Sequence, residues 1–74
     1  MRAEAYQRRR EELAGWPVGI ASYRLGERFI CQIDDAGSGA RLARAEGPTR
    51  EAAERDAVAT AERRLARTRV HEVD

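Results

Sequence analysis

The stretch AEAYQRRREELAG, residues 3–15, decides how this 74-residue chain is read. Its charges fall at helical spacing, with Glu4 to Arg8 and Arg8 to Glu12 as i,i+4 pairs. Ala3, Tyr6 and Leu13 lie on one helical stripe, flanked by the stems of Arg9 and Arg10. Gly15 suits the position just past a helix end, and Pro17 prevents continuation. The spacing predicts a helix over residues 3–14. Its run of arginines and glutamates reads as a solvated face in preference to a nucleic-acid arm.

Beyond it, residues 18–46 alternate apolar and polar and carry turn signals, which predicts three antiparallel strands at 18–24, 27–34 and 40–46. A turn at Leu25-Gly26 pairs Val18 with Ile33 and Ser22 with Phe29. A turn at Gly26-Glu27 slides the partners by two and leaves every face unchanged. Asp34 to Gly39, DDAGSG, supplies the residues of a longer turn. With Asp34 opposite Gly39, Ala40 and Leu42 join the inner side of the sheet. The outer side then carries Ala21, Tyr23, Arg28, Ile30, Arg41, Ala43 and Ala45.

Residues 50–69 read as a long helix with Thr49 as its N-cap. Glu51, Glu54 and Asp56 sit early and Arg63, Arg64, Arg67 and Arg69 late, the polarity that the helix dipole prefers. Ala53, Ala57, Val58, Ala61 and Leu65 form the inward stripe, small enough for the helix to lie close on the sheet. Residues 70–74 read as a tail. The expected fold is one α+β domain over residues 1–74. It is a two-layer α-β-β-β-α sandwich, with both helices on one face of a three-stranded antiparallel sheet.

At this length one hydrophobic core barely suffices, and much of the apolar share is alanine. Binding a partner or self-association therefore adds usefully to stability. A formal charge of +1 favours neither nucleic acid nor acidic membrane. All fourteen basic residues are arginine, which we read as base composition. A single cysteine, no signal-peptide core and no apolar run near the ~20 residues of a bilayer span point to a cytoplasmic protein without membrane contact.

Catalytic sets are missing from the sequence. The one histidine, His71, falls in the expected tail, and Cys31 falls in the expected core. Nucleophilic catalysis needs a nucleophile, a base and a group to orient the base, and no such set is in reach. Structural zinc wants four Cys or His ligands, and the chain has two such residues in all. The DDAGSG loop lacks the closing glutamate of a calcium loop. The expectation is a non-enzyme with no cofactor and no metal.

The helix–three strands–helix order over residues 3–69 resembles the double-stranded RNA-binding domain family. The segment GARLARAEGPTREAAERDAVATAERRL is similar to that family's third strand running into its second helix. The resemblance implies that fold, and phosphate contacts at the second helix start, where Arg50 and Arg55 correspond to a basic cluster. The loop that enters the minor groove in that family is replaced here by a two-residue turn. Gly47-Pro48-Thr49-Arg50-Glu51-Ala52 also resembles the strand-to-helix junction of HicB-type antitoxins, which implies action by protein contact.

The leading expectation is a small interaction protein that binds a macromolecule, another protein or a nucleoprotein complex, and modulates or inhibits it by occupying its surface. Small inhibitors encoded by phages or mobile elements have this size and simplicity. The expected contacts are Tyr23, Arg28, Ile30 and Arg41 on the outer sheet face, with Arg63, Arg64 and Arg67 on the last helix as a second basic surface. The alternatives are a nucleic-acid-binding module and a self-associating structural module that forms a homodimer.

Overall fold

Residues Glu4–Leu13 form a ten-residue strand, β1, where the spacing had predicted a helix. The computed structural model describes residues 4–73, and the side chains of residues 4–67. It continues with β2 (Trp16–Leu25), β3 (Arg28–Asp35), β4 (Arg41–Gly47) and one helix, α1 (Arg50–Val73). The four strands form an antiparallel meander in the order β1-β2-β3-β4, and α1 lies across one face, chiefly over β4 and β3. The expected α-β-β-β-α order with a three-stranded sheet and two helices is thus corrected to a small α+β domain of four strands and one helix.

The correction has a physical cause. A short helix over residues 3–14 has only Tyr6 and Leu13 to bury beyond alanine, too little to offset helix nucleation. As a strand the same segment gains main-chain pairing with β2 and still buries Leu13. The turn makes the pairing possible. Ala14 and Gly15 both have positive φ, 52° and 82°, as a type I′ turn requires, and its twist matches that of the strands it joins. Gly15 therefore serves a hairpin and not a helix end. Pro17 sits in β2 opposite Glu12, beyond the last β3 partner of the ladder, which is the Val18–Asp35 pair. Its missing N–H costs no ladder bond there. Ala3, the expected start of the helix, lies outside the described residues.

The β2–β3 hairpin takes the second of the two registers open to the sequence. Gly26 and Glu27 form the turn, with Gly26 at φ 66°, and Leu25 opposes Arg28. The inner face of β2 and β3 is Val18, Ile20, Ser22, Phe29, Cys31 and Ile33. The β4 face assignment is corrected. Ala45 opposes Cys31 and Ala43 opposes Ile33, so both alanines face the helix. A bulge then brings Arg41 opposite Asp34, leaving Leu42 partly buried against the core and Ala40 exposed before the strand. One extra residue reverses every side after it. The connecting turn is built on Asp35, whose Oδ1 accepts from the N–H groups of Gly37 (2.7 Å) and Ser38 (3.1 Å).

Thr49 caps α1 as expected, its Oγ1 accepting from Ala52 N–H at 3.1 Å. Ala53, Ala57, Ala61 and Leu65 follow at four-residue intervals and are buried on Ile20, Cys31, Ile33 and Ala43. The backbone of α1 continues through Val73, four residues past the expected end at 69, so residues 70–73 are helix and not tail; Asp74 lies outside the described residues. Among the described residues no helix is long and apolar enough to cross a membrane.

Candidate interaction face

Two polar arrangements stand out. The first fastens β1 to the start of α1. Alternation places Gln7, Arg9 and Glu11 on the helix side of β1, where Arg9 opposes Ile20. Arg9 Nη1 and Nη2 donate to Glu54 at 3.0 and 3.1 Å, and Arg9 also pairs with Glu11. Ser22, the one buried polar side chain among the described residues, donates from Oγ to the same Glu54 carboxylate at 3.3 Å and accepts from Arg50 Nη1. Arg50 donates further to the carbonyls of Ala5 and Ser22, and its guanidinium lies 5.1 Å from the centre of the Phe29 ring. The hydrogen bonds from Arg9 hold the Glu54 carboxyl below its ordinary range, and Glu54 raises the Arg9 guanidinium in return. Every member has a partner inside the chain. Arg50, the residue that corresponds to a phosphate contact in the RNA-binding resemblance, is engaged with Ser22, Ala5 and Phe29.

The second arrangement is the sheet face turned away from α1. Tyr23 on β2 and Ile30 on β3 are direct cross-strand partners there. Ile30, flanked by Tyr23 and Glu46, is only 2% exposed, so it fills the face without presenting a contact surface. Arg28 Nε donates to Glu46 at 3.2 Å, and Arg44 pairs with the same carboxylate at 3.1 Å. Arg41 lies at the far end, its Nε 2.9 Å from Asp34 Oδ1. Tyr23, Arg28, Ile30 and Arg41 therefore share one side of the sheet. Arg63, Arg64 and Arg67 are exposed on α1, in the other layer, and Arg64 Nη1 donates to the backbone carbonyl of Arg41 at 3.4 Å.

The strand identity of β1 adds residues that the helical reading concealed. Tyr6, Arg8, Arg10 and Glu12 alternate onto the same face as Tyr23. Tyr6 is 58% exposed, and its ring stacks on Tyr23 with centroids 6.1 Å apart and planes 17° from parallel. The Tyr23 hydroxyl accepts from Gln32 Nε2 at 3.3 Å, which fixes the lower ring. Arg8 and Arg10 have no ion pair among the described residues. They border a cleft of about 280 Å³ that Gly19, Asp34 and Asp35 also line. The alternation Tyr6-Arg8-Arg10-Glu12 was present in the sequence, but its complement Gln7-Arg9-Glu11 is equally polar, so no period-two signal emerged.

Among the described residues no cluster of three His, Cys, Asp or Glu side chains is placed to hold a metal. Cys31 is fully buried, and burial above all pushes its thiol up to about 11, which leaves it protonated near neutral pH. The side chain of His71 lies outside those described. Comparison with known protein families, with curated proteins and with solved structures gives no match.

Proposed function

We propose that the chain is a non-enzymatic interaction protein that binds a protein partner through the outer sheet face and modulates it by occupying its surface. One observation carries the reading: no described element covers that face, yet it bears an exposed tyrosine stacked on a second one, beside two arginines that have no ion pair among the described residues. Tyrosine and arginine supply most of the energy of protein interfaces because they bring large contact area and several hydrogen bonds at little entropic cost. The contacts are Tyr6, Tyr23, Arg8 and Arg10, with Arg28 and Arg41 at the rim. Three carboxylates on the same face, Glu46, Asp34 and Glu12, oppose a polyphosphate ligand and suit a partner of mixed charge.

Capture of the tagged chain's partners from its own cell, with and without nuclease, tests this reading. The expected result is nuclease-resistant capture of a protein that Tyr6→Ala and Tyr23→Ala each weaken by more than about 1 kcal/mol, and that changes at Arg63 and Arg67 leave intact. The exposed tyrosine stack also suits a second reading, single-stranded nucleic acid stacked on Tyr6. That reading predicts nuclease-sensitive capture and affinity that falls steeply with salt.

A further inference from the structure

We infer that a second copy of this chain docks antiparallel along the free edge of β1 and joins two sheets into one of eight strands. Among the described residues β1 pairs only with β2, so its other edge carries unsatisfied main-chain groups. Which groups these are follows from the register. In a hairpin closed by a two-residue turn, the flanking residues exchange both main-chain hydrogen bonds, so Leu13 faces Trp16 in that way. Alternation then directs the N–H and C=O of Glu11, Arg9 and Gln7 toward β2, and those of Glu12, Arg10 and Arg8 toward the open edge.

Charges on an edge strand usually keep other strands away. Here their order reverses that effect. Arg8-Arg9-Arg10-Glu11-Glu12 is self-complementary when a second copy runs antiparallel about a two-fold axis at Arg10. Arg8 then faces Glu12 of the other copy and Arg9 faces Glu11, each contact occurring twice, with Arg10 opposite Arg10 as the one like-charge pair. Sliding the copies by two residues one way sets Arg8 against Arg10 and Arg9 against Arg9. The other way sets Glu11 against Glu11 and keeps only Arg10 against Glu12 as an opposite pair, half the opposite contacts of the centred register. Opposite charges directly across a strand pair stabilise it and like charges destabilise it, so a single register is selected.

The geometry of the strand picks the same centre independently. A bulge between Glu4 and Gln7, with Ala5 at φ 55°, interrupts the ladder, so the regular edge runs from Gln7 to Leu13 and its midpoint is Arg10. Among the described residues Arg8 and Glu12 have no ion pair, so the Arg8–Glu12 contact between copies takes nothing from the fold, whereas Arg9 and Glu11 are already paired within each chain. An isologous two-fold of this kind keeps both helices on one side and makes the two outer faces continuous. The other edge strand, β4, is shorter, at seven residues, and bulged near its start, which suits it less.

Sedimentation velocity and native mass spectrometry of the full chain, from micromolar to millimolar concentration at low salt, test the inference. The expected result is a concentration-dependent dimer that dissociates as salt is added. Arg8→Glu and Glu12→Arg each place like charges across the interface and should raise the dimer Kd at least tenfold. An equimolar mixture of the two variants restores both contacts and should form a heterodimer. Circular dichroism checks that each variant folds, and if Arg8→Glu does not, Glu12→Arg alone decides. A monomer at every concentration overturns the inference. So does a wild-type dimer that both variants leave unweakened, because it must use another surface, and so does a mixture that stays monomeric.

Discussion

Arg9 and Glu54, 45 residues apart in the chain, meet through two parallel N–H···O bonds of 3.0 and 3.1 Å. Ser22 donates to the same carboxylate, and Arg50 donates to Ser22. This connected set joins β1, β2 and the first turns of α1. Since Leu13 is the only residue of β1 that is buried, the set is the main side-chain attachment of the edge strand. A planar guanidinium against a carboxylate gives directional bonds, and with Glu54 only 19% exposed they are partly shielded from water.

Stability should therefore depend on the ionisation of Glu54. Its folded pKa lies below the ordinary 4.5, chiefly through the Arg9 hydrogen bond. A lowered carboxylate pKa stabilises fully above the unfolded value, and the contribution is lost as pH falls through the folded one. Glu54→Gln should cost about 1–2 kcal/mol at neutral pH, the lower part of the range for bonds to charged groups because Arg9 is partly solvated. Urea titrations at neutral pH and at about pH 3 should show wild type losing more stability than the variant. Equal losses would mean that the pair contributes nothing.

The segments legible in the sequence were those whose burial is periodic. Ala53, Ala57, Ala61 and Leu65 mark a helix by spacing alone, and Val18, Ile20, Phe29, Cys31 and Ile33 mark two strands by alternation. Those two strands sufficed to put Tyr23 and Ile30 on the face away from the helix. β1 has no such mark. It is polar on both sides, its anchors on α1 are distant in sequence, and its Glu4–Arg8–Glu12 spacing imitates a helix, which hides Tyr6, Arg8 and Arg10 from the face. The sides of β4 are hidden for another reason: small alanines give weak alternation, and the bulge at Leu42 leaves no trace in composition.

Ala14 offers a direct test of the hairpin. It holds φ 52°, a conformation that costs a residue with a Cβ about 1–2 kcal/mol. Asn-Gly is the preferred pair for a type I′ turn, so Ala14→Asn should stabilise the protein by about 0.5–1 kcal/mol. In a helix the same change would destabilise by roughly half a kcal/mol. The sign of the change in Tm thus discriminates a strand from a helix in this segment.

Gly47 is needed for a different reason, close approach. A Cβ placed there would lie 3.0 Å from the Ala52 Cβ and 3.1 Å from the Ala53 nitrogen, where the first turn of α1 crosses the end of β4. Helix backbone yields little, so Gly47→Ala should cost about 1–3 kcal/mol. Gly19 is the control. A Cβ there meets only the Arg8 guanidinium, at 3.8 Å, and Gly19→Ala should be neutral or slightly stabilising. Chemical denaturation of the two variants side by side makes the comparison, and equal costs would contradict the close packing of α1 on β4.

Cys31 reports on the centre of the same packing. It lies between Ser22 and Ala45 in the sheet, fully buried, with its thiol pushed up to about 11 by burial first and by the Glu54 charge second. A thiol reagent attacks the thiolate, so native Cys31 should react only when the sheet opens. For a small domain of a few kcal/mol stability, labelling of the native protein should be slower than in urea by a factor on the order of 10²–10⁴. Leu65→Ala removes a buried side chain from α1 without touching the cysteine and should cost about 2–5 kcal/mol. Labelling of that variant should accelerate by the factor that its lost stability dictates, because opening and unfolding are then one event. If Cys31 in the wild type reacts as fast as in urea, the helix does not cover the sheet as described.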